Sequence, residues 1–293
     1  MNIQHVRTFL ALVDAGSFVG AAARLGVSQP TVSQQVRKLE TAFGKVLVRR
    51  SHAACTPTPH GRAILPYARA LVAAAERLEE AGRGDVVLVG CSGNIVSYFI
   101  SDELHRFAGA IGEPFRWRLR AATNPELSEA VVAGEVDVAA MEWPDRRAGL
   151  EVLPWRTEPM CVIVAPDHPL AGRGEITVDE LASLDLLGGE RGSGTGTVLS
   201  EALGERASEL RITHSLPTTE AVKSAVRSGL GASVVLEAAV GTEAAAGALS
   251  VLSVAGVRLE KTFHVAVPEG LPEEALPARF ARFLAHGALP ESD

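Results

Sequence analysis

Cysteine is scarce in this chain of 293 residues: Cys55, Cys91 and Cys161 are the only three, an odd number without CxxC spacing. That pattern argues against a disulfide framework and a zinc ribbon, and leaves Cys91 either a redox-sensing role or that of a small buried residue. No apolar run approaches the roughly 20 residues that span a bilayer. The N-terminus opens on an amphipathic helical pattern rather than a basic, apolar and small-residue leader, so a cytoplasmic protein without membrane attachment is expected. The eight histidines are scattered with no HExxH pair, and neither a metal nor a cofactor is expected. A GxxxxGK[ST] loop is missing too. Gly192 to Gly196 (GSGTG) lacks the third glycine of a dinucleotide loop and follows Asp185-Leu186-Leu187, a poor strand. Gly90 to Asn94 has Asn94 where a nucleophile elbow carries glycine, with no His or Asp placed near it by sequence, so the chain is not expected to be an enzyme. What is present is 47% hydrophobic content over a length suited to two domains.

Ser17 to Glu40, SFVGAAARLGVSQPTVSQQVRKLE, reads as two short helices joined by a tight turn. Ser17 is an N-cap candidate, and Phe18, Ala22 and Leu25 are buried at helical spacing; Gly26 permits the turn. Ser28 caps a second helix that tolerates Pro30 in its first turn and buries Val32, Val36 and Leu39. Val6, Phe9, Leu10 and Val13 supply a third stripe. The outer face of the second helix offers Gln29, Pro30, Thr31, Ser33 and Gln34 to base edges in a major groove, with Arg37 and Lys38 near phosphates. Helical hairpins also occur without nucleic acid, and charge separates the readings. Residues 1–58 hold seven basic and two acidic residues, a surplus of five, whereas the whole chain carries −7, which leaves the remainder at −12. Such asymmetry suits a polyanion at the first part only. Lys45 to Ser51 reads as a hairpin strand presenting Arg49 and Arg50, which makes a winged helix-turn-helix.

These residues resemble the LysR-type transcriptional regulators. The match runs through Phe9, Ser17-Phe18, Ala21-Ala22, Leu25, Ser28-Gln29-Pro30, Val32-Ser33, Leu39-Glu40, Gly44, Leu47, Arg50, Thr58 and Gly61. Gln34 stands where members often have Arg, Val48 replaces a usual Phe, and Ala53-Ala54 occupies a wing tip that is often basic; these departures bear on operator preference and wing contacts. The resemblance implies an α/β multidomain protein: an N-terminal winged helix-turn-helix over 1–58, a long linker and dimerisation helix over 59–84, and a C-terminal two-lobed periplasmic-binding-protein-like effector domain over 85–293. Lobe one would comprise 85–159 and 262–293, and lobe two 160–261. It also implies double-stranded operator DNA and a small-molecule effector as partners, with homodimers that commonly assemble into tetramers, and leaves RNA polymerase open as a further partner.

The residues behind the head fit this plan. Ile64, Ala68, Leu71, Ala75 and Leu78 alternate four and three apart, a heptad seam widened by Leu65 and Val72, and Pro66 is awkward for a smooth helix. The seam suits a second copy; packing on its own domain is the alternative. Beyond Gly84, short apolar runs at 86–90, 136–140, 161–165, 232–236 and 263–267 read as buried strands of mainly parallel sheets, with helices over 125–133, 178–183 and 219–228. Three loops are candidate contacts for a small carboxylate or other anion: Ser92, Gly93 and Asn94; Ser193, Gly194 and Thr195 beside Arg191; and Thr218. Each is also an ordinary cap. Glu142 and Trp143, past a strand end, are candidates for an amine or cation.

Overall fold

The computed structural model describes residues 2–50, 55–83, 86–112, 114–145, 147–190 and 192–287. The wing tip Ala53-Ala54, Arg191 and the side chains of Arg50, Arg77 and Glu80 lie outside the described residues. The chain divides into two compact units, before and after residue 84.

In the first unit α1 (Ile3–Ala15), α2 (Phe18–Leu25) and α3 (Gln29–Phe43) surround a core of Val6, Phe9, Leu12, Ala21, Val32, Val36 and Leu39. The expected caps form: Ser17 Oγ accepts from Gly20 N–H at 3.0 Å and Ser28 Oγ from Thr31 N–H at 3.3 Å, while Gly26 adopts φ 65°. Phe18 and Leu25 were expected inside but are only half-buried, because Ala21 and Ala22 take the tightest part of the α2 face. The wing is an antiparallel pair, β1 (Val48–Arg50) with β2 (Cys55–Pro57). Its base is tied down by Glu40, whose Oε1 accepts from Leu47 N–H at 2.9 Å and Val48 N–H at 3.3 Å. Opposite, Thr58 N–H donates to Leu47 O at 2.9 Å and Thr58 Oγ1 donates to Val46 O at 2.8 Å. At Gly61 any Cβ would lie 2.1 Å from the Leu47 carbonyl oxygen, so only glycine lets the next helix start here.

That helix, α4 (Pro59–Arg83), is 25 residues with Pro66 inside it, about 37 Å at 1.5 Å per residue. Its expected seam divides. Ala68 is buried in the head core and Ile64, Leu65 and Val72 pack against that core, whereas Leu71 and Leu78 stay exposed. Packing on its own domain therefore holds for α4 as far as Val72, and Arg7 ties Glu79 to the head beyond it.

The second unit contains β3 (Val86–Cys91), α5 (Gly93–Tyr98), α6 (Ile100–Ile111), β4 (Arg116–Ala121), α7 (Asn124–Val132), β5 (Val138–Met141) and β6 (Leu150–Val164). There follow β7 (Glu175–Ile176), α8 (Val178–Ser183), β8 (Asp185–Leu187), α9 (Gly194–Leu203), β9 (Arg211–His214), α10 (Thr219–Arg227), β10 (Ser233–Leu236), α11 (Gly241–Ala245), β11 (Ser250–Val254), β12 (Glu260–Pro268) and α12 (Leu276–His286). The main sheet runs β4-β3-β5-β12-β6-β11-β7, with β10 also on β6.

The expectation of mainly parallel sheets is corrected. β3 is parallel to β4 and β5, but β12 is antiparallel to β5 and β6, and β10 and β11 are antiparallel to β6. The reason is β6: its first part pairs with β12 in lobe one, and Met160 to Val164 carries β10 and β11 in lobe two. One long strand thus serves both lobes, crossing where Glu260 faces Pro159. Apolar runs buried on both faces do not report strand direction. Asp185 to Leu187, read as a poor strand, is β8, paired with β9 and bridged from Leu186 to Ala232. Two fully buried residues in three are enough once neighbours supply the other edge.

Candidate functional site

On the head, Gln29, Pro30, Gln34, Arg37, Lys38 and Arg49 are exposed, and Thr31 and Ser33 half-buried, along one helix face and the adjoining wing strand. The Thr31 hydroxyl is engaged with Ser28 Oγ at 2.8 Å. Gln35 is turned inward, its Oε1 accepting from Thr8 Oγ1 at 2.5 Å. Not all of the basic surplus faces outward to a polyanion. Arg7 pairs with Glu79 at 3.4 Å and is spoken for, while Asp14 pairs with Arg69 at 2.8 Å and lies 3.8 Å from Arg24. The cations left on the α3 and wing side are Arg37, Lys38, Lys45 and Arg49 among the described side chains.

In the second unit the candidate loops converge. Asn94, Glu142, Ser193, Gly194, Thr195 and Thr218 line one cavity of about 190 Å³, together with Thr219 and Lys261. A neighbouring space of about 320 Å³ shares Asn94, Glu142 and Thr218 and adds Gly93 and Tyr98. The lobe-one residues come from the C-terminal ends of β3 and β5; the lobe-two residues come from the N-termini of α9 and α10. Ligand sites in open α/β sheets form at such strand ends.

The hydroxyl-bearing residues do the capping that the sequence allowed. Ser193 Oγ accepts from Gly196 N–H at 3.0 Å and donates to Glu190 O at 2.8 Å; Thr218 Oγ1 accepts from Ala221 N–H at 3.1 Å. Ser92 is buried, and its Oγ has no hydrogen-bond partner. Asn94 is held by protein at both ends of its amide. Its N–H and Nδ2 donate to Glu142 Oε1 at 3.3 Å and Oε2 at 3.1 Å, while its Oδ1 accepts from Thr219 Oγ1 at 2.6 Å, which joins the two lobes.

Glu142 was a candidate for an external amine or cation, but Lys261 Nζ already sits 2.7 Å from its Oε2, with 8% and 4% of the two side chains exposed. Burial pushes the Glu142 carboxyl up, and Lys261 with Asn94 more than offsets it, so the carboxyl lies below its ordinary range. Trp143 packs against lobe two instead of standing open: a Cβ on Gly194 would fall 2.7 Å from its Cζ3. Sequence reasoning missed Lys261 and Asn124, whose Nδ2 donates to the Trp143 carbonyl at 2.9 Å and whose Oδ1 is buried without a partner. Lys261 sits in the polar start Glu260-Lys261-Thr262 of β12, so no signal in the sequence set it apart.

A second link between the lobes flanks the site. Tyr98 Oη donates to Glu220 Oε1 at 2.6 Å, and Lys223 stands 5.6 Å from the Tyr98 ring centre while paired with Glu220 and Glu243 at 2.7 Å each. Burial and the Glu220 hydrogen bond push the Tyr98 phenol up to about 12. The Cys91 thiol is driven upward by burial, so it is a poor source of the thiolate that redox sensing needs.

Comparison with known proteins agrees with this architecture. Residues 3–62 match the model of bacterial regulatory helix-turn-helix proteins of the lysR family, and residues 81–288 match the LysR substrate binding domain. A putative HTH-type transcriptional regulator protein, PtxE of Stutzerimonas stutzeri, is 41% identical over 195 residues, which cover 67% of this chain and 100% of that protein. The RuBisCO operon transcriptional regulator of Allochromatium vinosum is 32% identical over 242 residues, 80% of this chain and 79% of its own. The crystal structure of full-length CbnR complexed with its target DNA shares the fold at a TM-score of 0.74 and 23% identity, covering 98% of this chain and 100% of that one. The chain therefore belongs to the LysR family of DNA-binding transcriptional regulators, and it is not an enzyme.

Proposed function

We propose that this regulator is controlled by a small carboxylate or other small anion bound between its two lobes. The observation that carries the reading is the convergence of Asn94 and Glu142 from lobe one with Ser193, Gly194, Thr195 and Thr218 from lobe two around one small cavity with Lys261 in its wall. Backbone N–H groups at the starts of α9 and α10 suit negative charge there. Ser92, Gly93 and Trp143 frame the lobe-one side.

Residues 1–58 act as the operator reader, 59–84 as the linker, and 85–293 as the effector domain, with lobe one taken as 85–159 and 262–293 and lobe two as 160–261. In the reader, Gln29, Pro30, Thr31, Ser33 and Gln34 face base edges, while Arg37, Lys38, Arg49 and Arg50 meet phosphates. The exposed Leu71 and Leu78 on α4 support pairing with a second copy, giving a cytoplasmic homodimer, and a tetramer as a dimer of dimers. RNA polymerase is the partner through which such a complex would change transcription.

A thermal-shift panel of small carboxylates and oxyanions on the full chain tests the cleft. A ligand at 100 times its dissociation constant adds about 2.7 kcal/mol. Stabilisation by an anion, lost when Thr218 and Lys261 are replaced, supports the reading; a panel of cations and neutral metabolites that stabilises while anions do not would overturn it.

A further inference from the structure

The Glu142–Lys261 pair is an odd tenant for a cleft wall. Burying an ion pair is a poor route to stability, since apolar residues of similar volume often serve as well. Yet both side chains are more than nine-tenths buried while lining the cavity. Lys261 also sits at an awkward place for a cation: its Nζ is 3.2 Å from where a Cβ on Gly194 would be, at the first residue of α9. Helix N-termini carry about half a positive charge. Two positive features meeting there need a shared negative group, and Glu142 is the one now present.

Of the surrounding carboxylates, Glu190 also lines the cavity and adds to the cost of a second negative charge on the ligand, whereas Glu220 and Glu158 are paired with cations. Glu190 accepts from Ser215 Oγ at 2.8 Å, and Glu220 is held by Lys223 and Tyr98. Glu158, opposite Lys261 in the register of β6 and β12, is taken by Arg156 at 2.5 Å. A carboxylate has about four acceptor sites. Three donors already reach Glu142, namely Asn94 N–H, Asn94 Nδ2 and Lys261 Nζ, which leaves one site. Lys261 has three donors, and one of them is used on Glu142.

We propose that Glu142 and Lys261 together select the charge and protonation of the cleft's ligand: a small monoanion that sets its negative charge against Lys261 and the α9 N-terminus and donates an O–H hydrogen bond to Glu142. A hydroxy-carboxylate and a singly protonated oxyanion share this chemistry. A fully ionised dianion does not, because it turns an unprotonated oxygen toward the Glu142 carboxylate with only one buried cation to balance both. The inference rests on the reading of the cleft as the effector site and adds the sign and number of charges that site accepts.

The test is calorimetric titration of the full chain at one pH near 7.5 with four probes: glycolate, acetate, oxalate and sulfate. Glycolate, a monoanion with an O–H donor, is expected to bind at least tenfold more tightly than each of the other three. Glu142→Gln, an isosteric change that supplies an N–H donor in place of the charge, is expected to erase the advantage over acetate and bring oxalate or sulfate to within threefold of glycolate or tighter. Equal binding of all four probes to the natural chain, a Glu142→Gln chain with the same order of affinities, or no probe binding at all would each overturn the proposal. Gly194→Ala keeps the two readings distinguishable, because its Cβ would lie 2.7 Å from Trp143 Cζ3 and 3.2 Å from Lys261 Nζ and so forces the cavity wall to shift. If probes bind a folded Gly194→Ala chain unchanged, the cleft reading itself falls; if Gly194→Ala abolishes binding while Glu142→Gln leaves selectivity intact, only the charge-selection proposal falls.

Discussion

Replacing Glu40 should uncouple the wing from the recognition helix without touching either DNA-facing surface. Its Oε1 receives the buried Leu47 N–H at 2.9 Å and, more weakly, the Val48 N–H at 3.3 Å, just where the strand carrying Arg49 begins. Hydrogen bonds to a charged group contribute about 1.5–3 kcal/mol, and a buried donor left without a partner costs about 1–3 kcal/mol. Only the shorter bond is well formed, so Glu40→Ala should cost the head about 2–3 kcal/mol and Glu40→Gln, which keeps an acceptor oxygen, about 1 kcal/mol. The unit boundaries make the assay clean. All three tryptophans, Trp117, Trp143 and Trp155, lie after residue 84, so tryptophan fluorescence reports the second unit alone. In urea, Glu40→Ala should bring forward part of the helical circular dichroism loss and leave the fluorescence transition in place. Duplex affinity at fixed salt should fall about tenfold, or about 1.4 kcal/mol, as Arg49 loses its fixed position. If both transitions and the duplex affinity match the natural chain within about 0.5 kcal/mol, a size typical of neutral surface changes, Glu40 does not hold the wing.

Four further outcomes are expected. Arg49→Ala should weaken binding to every duplex and flatten the salt dependence by about one unit, while Gln29→Ala should change which sequences are enriched from a random pool. Gly61→Ala places a Cβ 2.1 Å from the Leu47 carbonyl and should lower head stability by more than about 2 kcal/mol by circular dichroism. Tyr98→Phe removes one hydrogen bond between the lobes, so a ligand that binds the closed cleft should lose about three- to tenfold in affinity by titration. Acid should destabilise the second unit. Glu142 is held below its ordinary value by Lys261 and Asn94 against the upward push of burial, and Glu220 and Glu243 are lowered chiefly by their hydrogen bonds to Lys223. A carboxylate more acidic when folded contributes stability that is fully present above its unfolded value near 4.5 and is lost as pH falls through the lower folded one. Fluorescence-detected urea midpoints should therefore drop between pH 6 and pH 3.

The head was legible because its signals are local. Ser17, Gly26 and Ser28 mark helix ends by hydrogen bonds within three or four residues, and Val32, Val36 and Leu39 mark a face by spacing alone. The direction of β12 and the existence of β8 were not legible, since they depend on partners more than a hundred or about twenty-five residues away. The cleft was half legible. Strand ends and helix starts pointed to Asn94, Ser193 and Thr218, but Lys261 joins Glu142 only through the β5–β12 pairing, across 119 residues of chain. The charge count was also too generous, because Arg7 faces Glu76 and Glu79, which lie outside residues 1–58 and which only folding brings near.

The most direct test of ligand control is the affinity of the full chain for a duplex that it has itself enriched from a random pool, measured at fixed salt with the cleft empty and saturated by the best-binding small anion. Coupling free energies of 1–3 kcal/mol are typical, so ligand control predicts a change of about fivefold or more in affinity, in either direction, that disappears when Thr218 and Lys261 are replaced and the anion is no longer held. A ligand with equal affinity for both states shifts nothing. The same duplex affinity with and without bound anion would contradict the claim that this cleft controls the DNA reader.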